Sequence, residues 1–131
     1  MRITLAIVFC LISSIGFSQE NEFSELTLKG NNVFIEAPDE ASVTHATNAL
    51  EFWGYWTIVK DKTKANFILK FTYKNQAFGD KKGYATFLSI DNKELKKTKT
   101  VNTGMSMDFN TKRAVITKLV SKRIQPMFET E

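Results

Sequence analysis

The chain has 131 residues, with 18 Lys and Arg against 14 Asp and Glu, giving a formal charge of +4 at pH 7. This excess is too mild for general nucleic-acid binding. With one histidine and one cysteine, the chain lacks the ligands of a Cys/His metal centre and the pairs of a disulfide framework.

The start, MRITLAIVFCLISSIGFSQE, places Arg2 before an apolar run from Ile3 to about Ile15, then the small residues Gly16 and Ser18. That layout predicts a signal peptide over 1–18, cleaved after Ser18, and a periplasmic or secreted product. The apolar run is shorter than the about 20 residues needed to cross a bilayer, so no transmembrane segment is expected after cleavage. Cys10 lies within that run and follows Phe9, which argues against lipid attachment. The processed chain would carry no cysteine, which tilts the reading toward a bacterial exported protein. About 113 residues remain, enough for one domain with its own core. Residues 19–30 read as a polar lead and 31–128 as the domain.

NNVFIEA (31–37) reads as a first strand. A helix follows, with Pro38, Asp39 and Glu40 at its start, Val43, Ala46, Leu50 and Trp53 as its apolar stripe, and Gly54 as its stop. YWTIVK (55–60) alternates as a short strand. NFILKFTYK (66–74) is the clearest strand: Phe67, Leu69, Phe71 and Tyr73 face one way, and Ile68, Lys70, Thr72 and Lys74 face a mostly wet side. YATFLSI and LKKTKTVN flank DNKE as a hairpin. A last helix starts at Asp108 or Asn110, buries Ile116, Leu119, Val120, Ile124 and Met127, and closes at Pro126. The order predicts an α+β fold: a two-layer sandwich with a mainly antiparallel sheet of four to five strands and two helices on one face.

Trp53, Tyr55 and Trp56 crowd around Gly54. A ligand platform and a packed core both use such rings. Periodicity assigns Trp53 to the helix stripe and Trp56 to the strand start, so the pair reads as core, and Tyr55 is the more exposed ring. His45 lies off the stripe and reads as a surface residue. Asp39 and Glu40 suit a helix start, where acids favour the dipole. No G-x-S-x-G, glycine-rich phosphate loop or chelating cluster occurs, so no enzyme, metal or cofactor is expected. Lys93, Lys96, Lys97 and Lys99 concentrate charge on the hairpin. They read first as a guarded sheet edge and second as an anion-facing patch for lipid headgroups or polyanionic glycans. Tyr55 and these lysines are the candidate interaction residues.

The pieces NNVFIEA, NALEFWGYWTIV, KANFILKFTY, YATFLSIDNKEL and TKRAVITKLVSKRI together resemble the small α+β envelope domains typified by the amino-terminal domain of TolB. Some outer-membrane assembly lipoproteins share this outline. The likeness covers about residues 31–125, with Asn66 standing where that family usually has an acid, and without a β-propeller or a lipid cysteine. It implies an envelope location and protein–protein contact, and it transfers no catalytic residue. The resulting expectation is an exported, non-catalytic domain that binds another envelope protein, with small-ligand or polyanion binding through the Lys93–Lys99 hairpin as the alternative.

Overall fold

The computed structural model describes residues 20–104 and 110–129. The expected signal peptide, Cys10 and Asp108 lie outside the described residues.

Residues 20–26 are helical (α1). Phe23 and Thr27 are buried, and Phe23 joins the central apolar cluster. Residues 20–30, within the segment 19–30 expected to be a polar lead, therefore pack with the domain: Phe23 and Leu26, three apart, share the face of a helical turn that packs on the core.

Strand β1 (Asn32–Glu36) leads into α2 (Glu40–Trp53). The Asp39 carboxylate accepts from the Ser42 N–H at 2.8 Å as the N-cap. Gly54, at φ 75° and ψ 21°, ends the helix in the left-handed conformation and donates its N–H to the Leu50 carbonyl. Both boundaries follow from local chemistry and fall where the sequence puts them. Strand β2 (Thr57–Val59) follows, then a 3-10 turn (Lys62–Lys64), β3 (Phe67–Asn75), β4 (Lys81–Leu88), β5 (Glu94–Lys97) and β6 (Val101–Asn102). The chain closes with α3 (Thr111–Leu119), a π-helical turn (Val120–Ile124) and α4 (Gln125–Phe128).

The six strands form one mixed sheet in the order β2-β1-β3-β4-β5, with β6 also paired to β4. β1 runs parallel to both β2 and β3, whereas β3–β4, β4–β5 and β4–β6 are antiparallel. The α+β expectation holds. The mainly antiparallel character belongs to the β3–β6 half, and β1 with its two neighbours departs from it.

The core lies between the helices and one face of the sheet. Val33, Ile35, Phe67, Leu69, Phe71, Ala85 and Phe87 meet Ala46 and Leu50 of α2 and Val115, Ile116 and Leu119 of α3. Each buried phenylalanine contributes about 1.5–3 kcal/mol by leaving water. Gly83 permits the close seating of α3. A β-carbon there would stand 2.7 Å from the Thr72 carbonyl and 3.2 Å from a Val115 methyl carbon.

The last helix does not stop at Pro126. It continues to Phe128, with the proline in the first turn of α4, where a missing N–H costs least. The π-helical turn immediately before it carries the Gln125 N–H to the Val120 carbonyl, a wider turn that takes up the change of register. Asn110 caps α3 through its side-chain oxygen and the Arg113 N–H at 3.1 Å.

Candidate functional site: the open face of the sheet

All helices pack on one face, so the even-numbered side chains of β3 look out from the other. Register aligns them in rows. Glu36, Lys70, Thr86 and Lys97 lie side by side across four strands, and Thr72 pairs with Tyr84 in the next row. Lys74 and Lys82 are direct partners beyond that.

One end of this face is covered. The connection from β2 to β3 crosses β1 on the side opposite α2, the route that keeps both parallel crossovers right-handed. Asp61 caps its 3-10 turn by accepting from the Thr63 hydroxyl at 2.7 Å and the Thr63 N–H at 3.0 Å. Lys62 reaches Glu36 at 3.6 Å and the Asn92 side-chain oxygen at 3.5 Å. Ile68, in the row beneath, is fully buried although it faces away from the main core.

Among the described residues the other end stays open. A depression of about 320 Å³ is bounded by Glu36, Lys70, Tyr84, Glu94 and Lys97. The Lys97 ammonium stands 4.1 Å from the centroid of the Tyr84 ring, a cation–π contact that presents charge and aromatic surface together. The patch thus combines both signs of charge, a tyrosine and two threonines on a rigid sheet.

The candidate residues from the sequence do not form one patch. Lys93 pairs with Glu22 at 3.2 Å. Lys96 lies over the Phe23 ring at 5.0 Å, on the helix side of the sheet. Lys97 alone of the four reaches the open-face depression, and Lys99 is exposed beyond the end of β5. The regular ladder ends at Lys97: at Thr98 the N–H donates to the Ala85 carbonyl while the side-chain oxygen accepts from the Ala85 N–H. Lys70 and Lys74 were legible as the wet side of β3. Lys82 and Tyr84 needed the β3–β4 register, which composition does not encode.

Tyr55 is half-buried. Its ring stacks on Trp53 at 4.6 Å and 11° and meets Trp56 and Phe128, each at 5.3 Å. Trp56 is buried and donates its indole N–H to the Thr27 carbonyl at 2.9 Å. Trp53 donates to Glu129 at 2.6 Å. These rings turn toward one another and extend the core. Tyr55, Trp53 and Phe128 are one packed cluster.

A polar clamp joins the starts of α2 and α3. The Lys112 ammonium lies 2.7 Å from Asp39, while Tyr73 donates to Asp39 at 3.2 Å and shares a 2.8 Å bond with the buried Ser42 hydroxyl. The Lys112 hydrogen bond, followed by the Ser42 N–H, holds the Asp39 carboxyl far below the ordinary carboxylate range. Asp39 in turn raises Lys112. Asp61 is lowered by the Thr63 hydroxyl and N–H. Each shift has a capping or clamping cause. Among the described residues no group of three or more His, Cys, Asp and Glu could hold a metal ion, and no helix is long and apolar enough to cross a membrane. His45 stands 3.4 Å from the Asn110 amide.

No family model matches the sequence, and no curated protein matches it. Among solved structures, the uncharacterized lipoprotein B from Nitrosomonas europaea is similar with a TM-score of 0.46 and 15% identity. That match covers 57% of this chain, which spans 59% of the lipoprotein's length. A PelC dodecamer from Paraburkholderia phytofirmans is similar with a TM-score of 0.46 and 17% identity, over 72% of this chain and 86% of that one.

Proposed function

We propose that this chain is an exported, non-catalytic binding domain of the bacterial envelope that docks an acidic protein surface on the open end of its sheet. The observation that supports it is the row Glu36–Lys70–Thr86–Lys97 beside Tyr84, continued by the Lys74–Lys82 pair: a rigid patch, open among the described residues, in which aromatic surface and Thr72 sit among four lysines and the two acids Glu36 and Glu94. Protein interfaces favour such aromatic and polar mixtures over the uniform charge of a polyanion site. The layout likeness to TolB-type envelope domains points to the same class of role.

Site-specific photocrosslinking in the native envelope tests the reading, with the photoreactive residue at Thr72 and, as a control, at Thr117 on α3. A discrete adduct from Thr72 alone, to an acidic protein that also binds the purified chain, is expected. Lys70→Glu with Lys97→Glu should abolish both the adduct and the binding. No adduct from Thr72, or one unaffected by the charge reversal, would overturn the proposal.

A further inference from the structure

The β3–β4 hairpin outruns β1, while β6 flanks β4 on its other side. β1 accompanies β3 only as far as Lys70, yet the β3–β4 ladder continues through five further rows to Asn75 and Lys81. At its tip the Gln76 N–H bonds the Asp80 carbonyl at 2.6 Å, closing a tight loop around Ala77, Phe78 and Gly79. Phe78 is held there at φ 61°, and its side chain is 103% exposed, with Gly79 also left-handed at φ 80°.

Turn chemistry does not account for this ring. A left-handed position suits Gly or Asn, and a bulky residue adopts it at a cost in strain. Core packing does not account for it either, since the ring is fully in water. Below the tip, Lys74 and Lys82 are exposed and directly opposite each other on one face of the hairpin. Like charges in that arrangement repel. Lys81, on the other face, bonds the Asn75 side chain at 2.6 Å with its ammonium 5.6 Å from the Tyr73 ring centroid. Lys118 bonds the Asn102 carbonyl at 2.7 Å, and Asn102 is the register partner of Lys82. Asp80 is the acid within the loop, and Asp39 is engaged by Lys112.

A strained, exposed aromatic at a convex tip, collared by cations that repel one another, has the chemistry of a loop that touches an anionic lipid surface. We infer that Phe78 inserts at the headgroup–acyl boundary of a bilayer while Lys74 and Lys82 meet anionic phospholipid headgroups. The ring supplies apolar burial and the lysines supply attraction, the two-signal arrangement that gives weak, reversible attachment. The contact lies at the hairpin tip, so it leaves the depression between Glu36 and Lys97 open.

Vesicle co-sedimentation tests this with protein lacking residues 1–18, the expected signal peptide, and phosphatidylcholine vesicles with or without phosphatidylglycerol. Binding to the anionic vesicles that falls with salt is expected. Phe78→Asn, which suits the left-handed turn, should weaken partitioning about tenfold. Lys74→Gln and Lys82→Gln should each weaken it about fivefold. Phe52→Ser serves as the control, because Phe52 is 93% exposed but lies at the end of α2, at the opposite end of the sheet. It should leave partitioning unchanged. Circular dichroism of each variant confirms its fold. Wild-type partitioning by Phe78→Asn, equal loss in Phe52→Ser, or equal binding to neutral vesicles would overturn the inference. So would retention on soluble alginate that depends on the lysines but not on Phe78, which would identify an anionic glycan instead.

Discussion

Replacing Phe23 by Ala tests whether residues 20–30 belong to the folded domain. Phe23 is 8% exposed, and its ring meets Phe87 edge-on at 5.1 Å and Phe128 at 6.0 Å, with the Lys96 ammonium 5.0 Å from its centroid. Phe→Ala in a core costs about 3–5 kcal/mol. Here α1 can shift to shrink the void, which favours the lower end, about 3 kcal/mol. For a domain near this size that lowers the melting temperature by roughly 12 °C, at about 4 °C per kcal/mol. Urea unfolding should show a lower midpoint at an unchanged slope. Lys96→Gln should cost about 0.5 kcal/mol alone and nothing further in the Phe23→Ala background, because the ring it faces is gone. A Phe23→Ala change within about 0.5 kcal/mol of wild type, the range of ordinary surface substitutions, would refute the reasoning and return residues 19–30 to a lead segment.

Asp39→Asn keeps a capping side chain but removes the charge. Folded Asp39 binds its proton more weakly than unfolded Asp39, so its contribution is present above the unfolded value of about pH 4 and is lost as pH falls below it. The variant should therefore lose less stability than wild type between neutral pH and about pH 3. Parallel acid limbs in urea titrations would refute the clamp. Gly83→Ala drives a methyl group against the Thr72 carbonyl and should cost about 1–3 kcal/mol. An unchanged urea midpoint would show that the seat of α3 on the sheet is not tight.

What was legible in the sequence was what neighbouring residues decide. Asp39 and Gly54 bound α2 because capping is local, and Phe67, Leu69 and Phe71 face the core because a strand alternates. The parallel pairing of β1 with β2 and β3 was not legible, since alternation tells which face a residue takes and not which way its partner runs. Phe23 was hidden by its setting: a short turn of helix rich in Glu and Asn needs tertiary packing to form. The lysine hairpin misled for a related reason. A bulge between Phe87 and Leu88 and the break at Thr98 send adjacent lysines to different surroundings. Basic residues of the last helix serve the fold as well. Arg123 donates to the Thr100 carbonyl at 3.2 Å and Lys118 to that of Asn102, fixing backbone that β4 leaves unpaired.

The topology itself determines how much of the sheet is left for binding. With β1 between two parallel neighbours, the chain must cross over twice, and right-handed crossovers in opposite directions along a sheet fall on opposite faces. The first crossover is α2, which helps to build the core. The second, residues 60–66, is too short for a helical layer; it is tied down through the Lys62 contacts to Glu36 and Asn92, and Ile68 in the neighbouring row is fully buried. Among the described residues the rows past that bridge remain uncovered, from Glu36–Lys70 through Thr72–Tyr84 to Lys74–Lys82, and beyond Lys70 they are carried by β3 and β4 without β1, with β6 on the far side of β4. Among the described residues, this is the stretch of the sheet that the β2–β3 connection does not reach. The same extension that exposes the lysine rows also carries Phe78 beyond the end of β1.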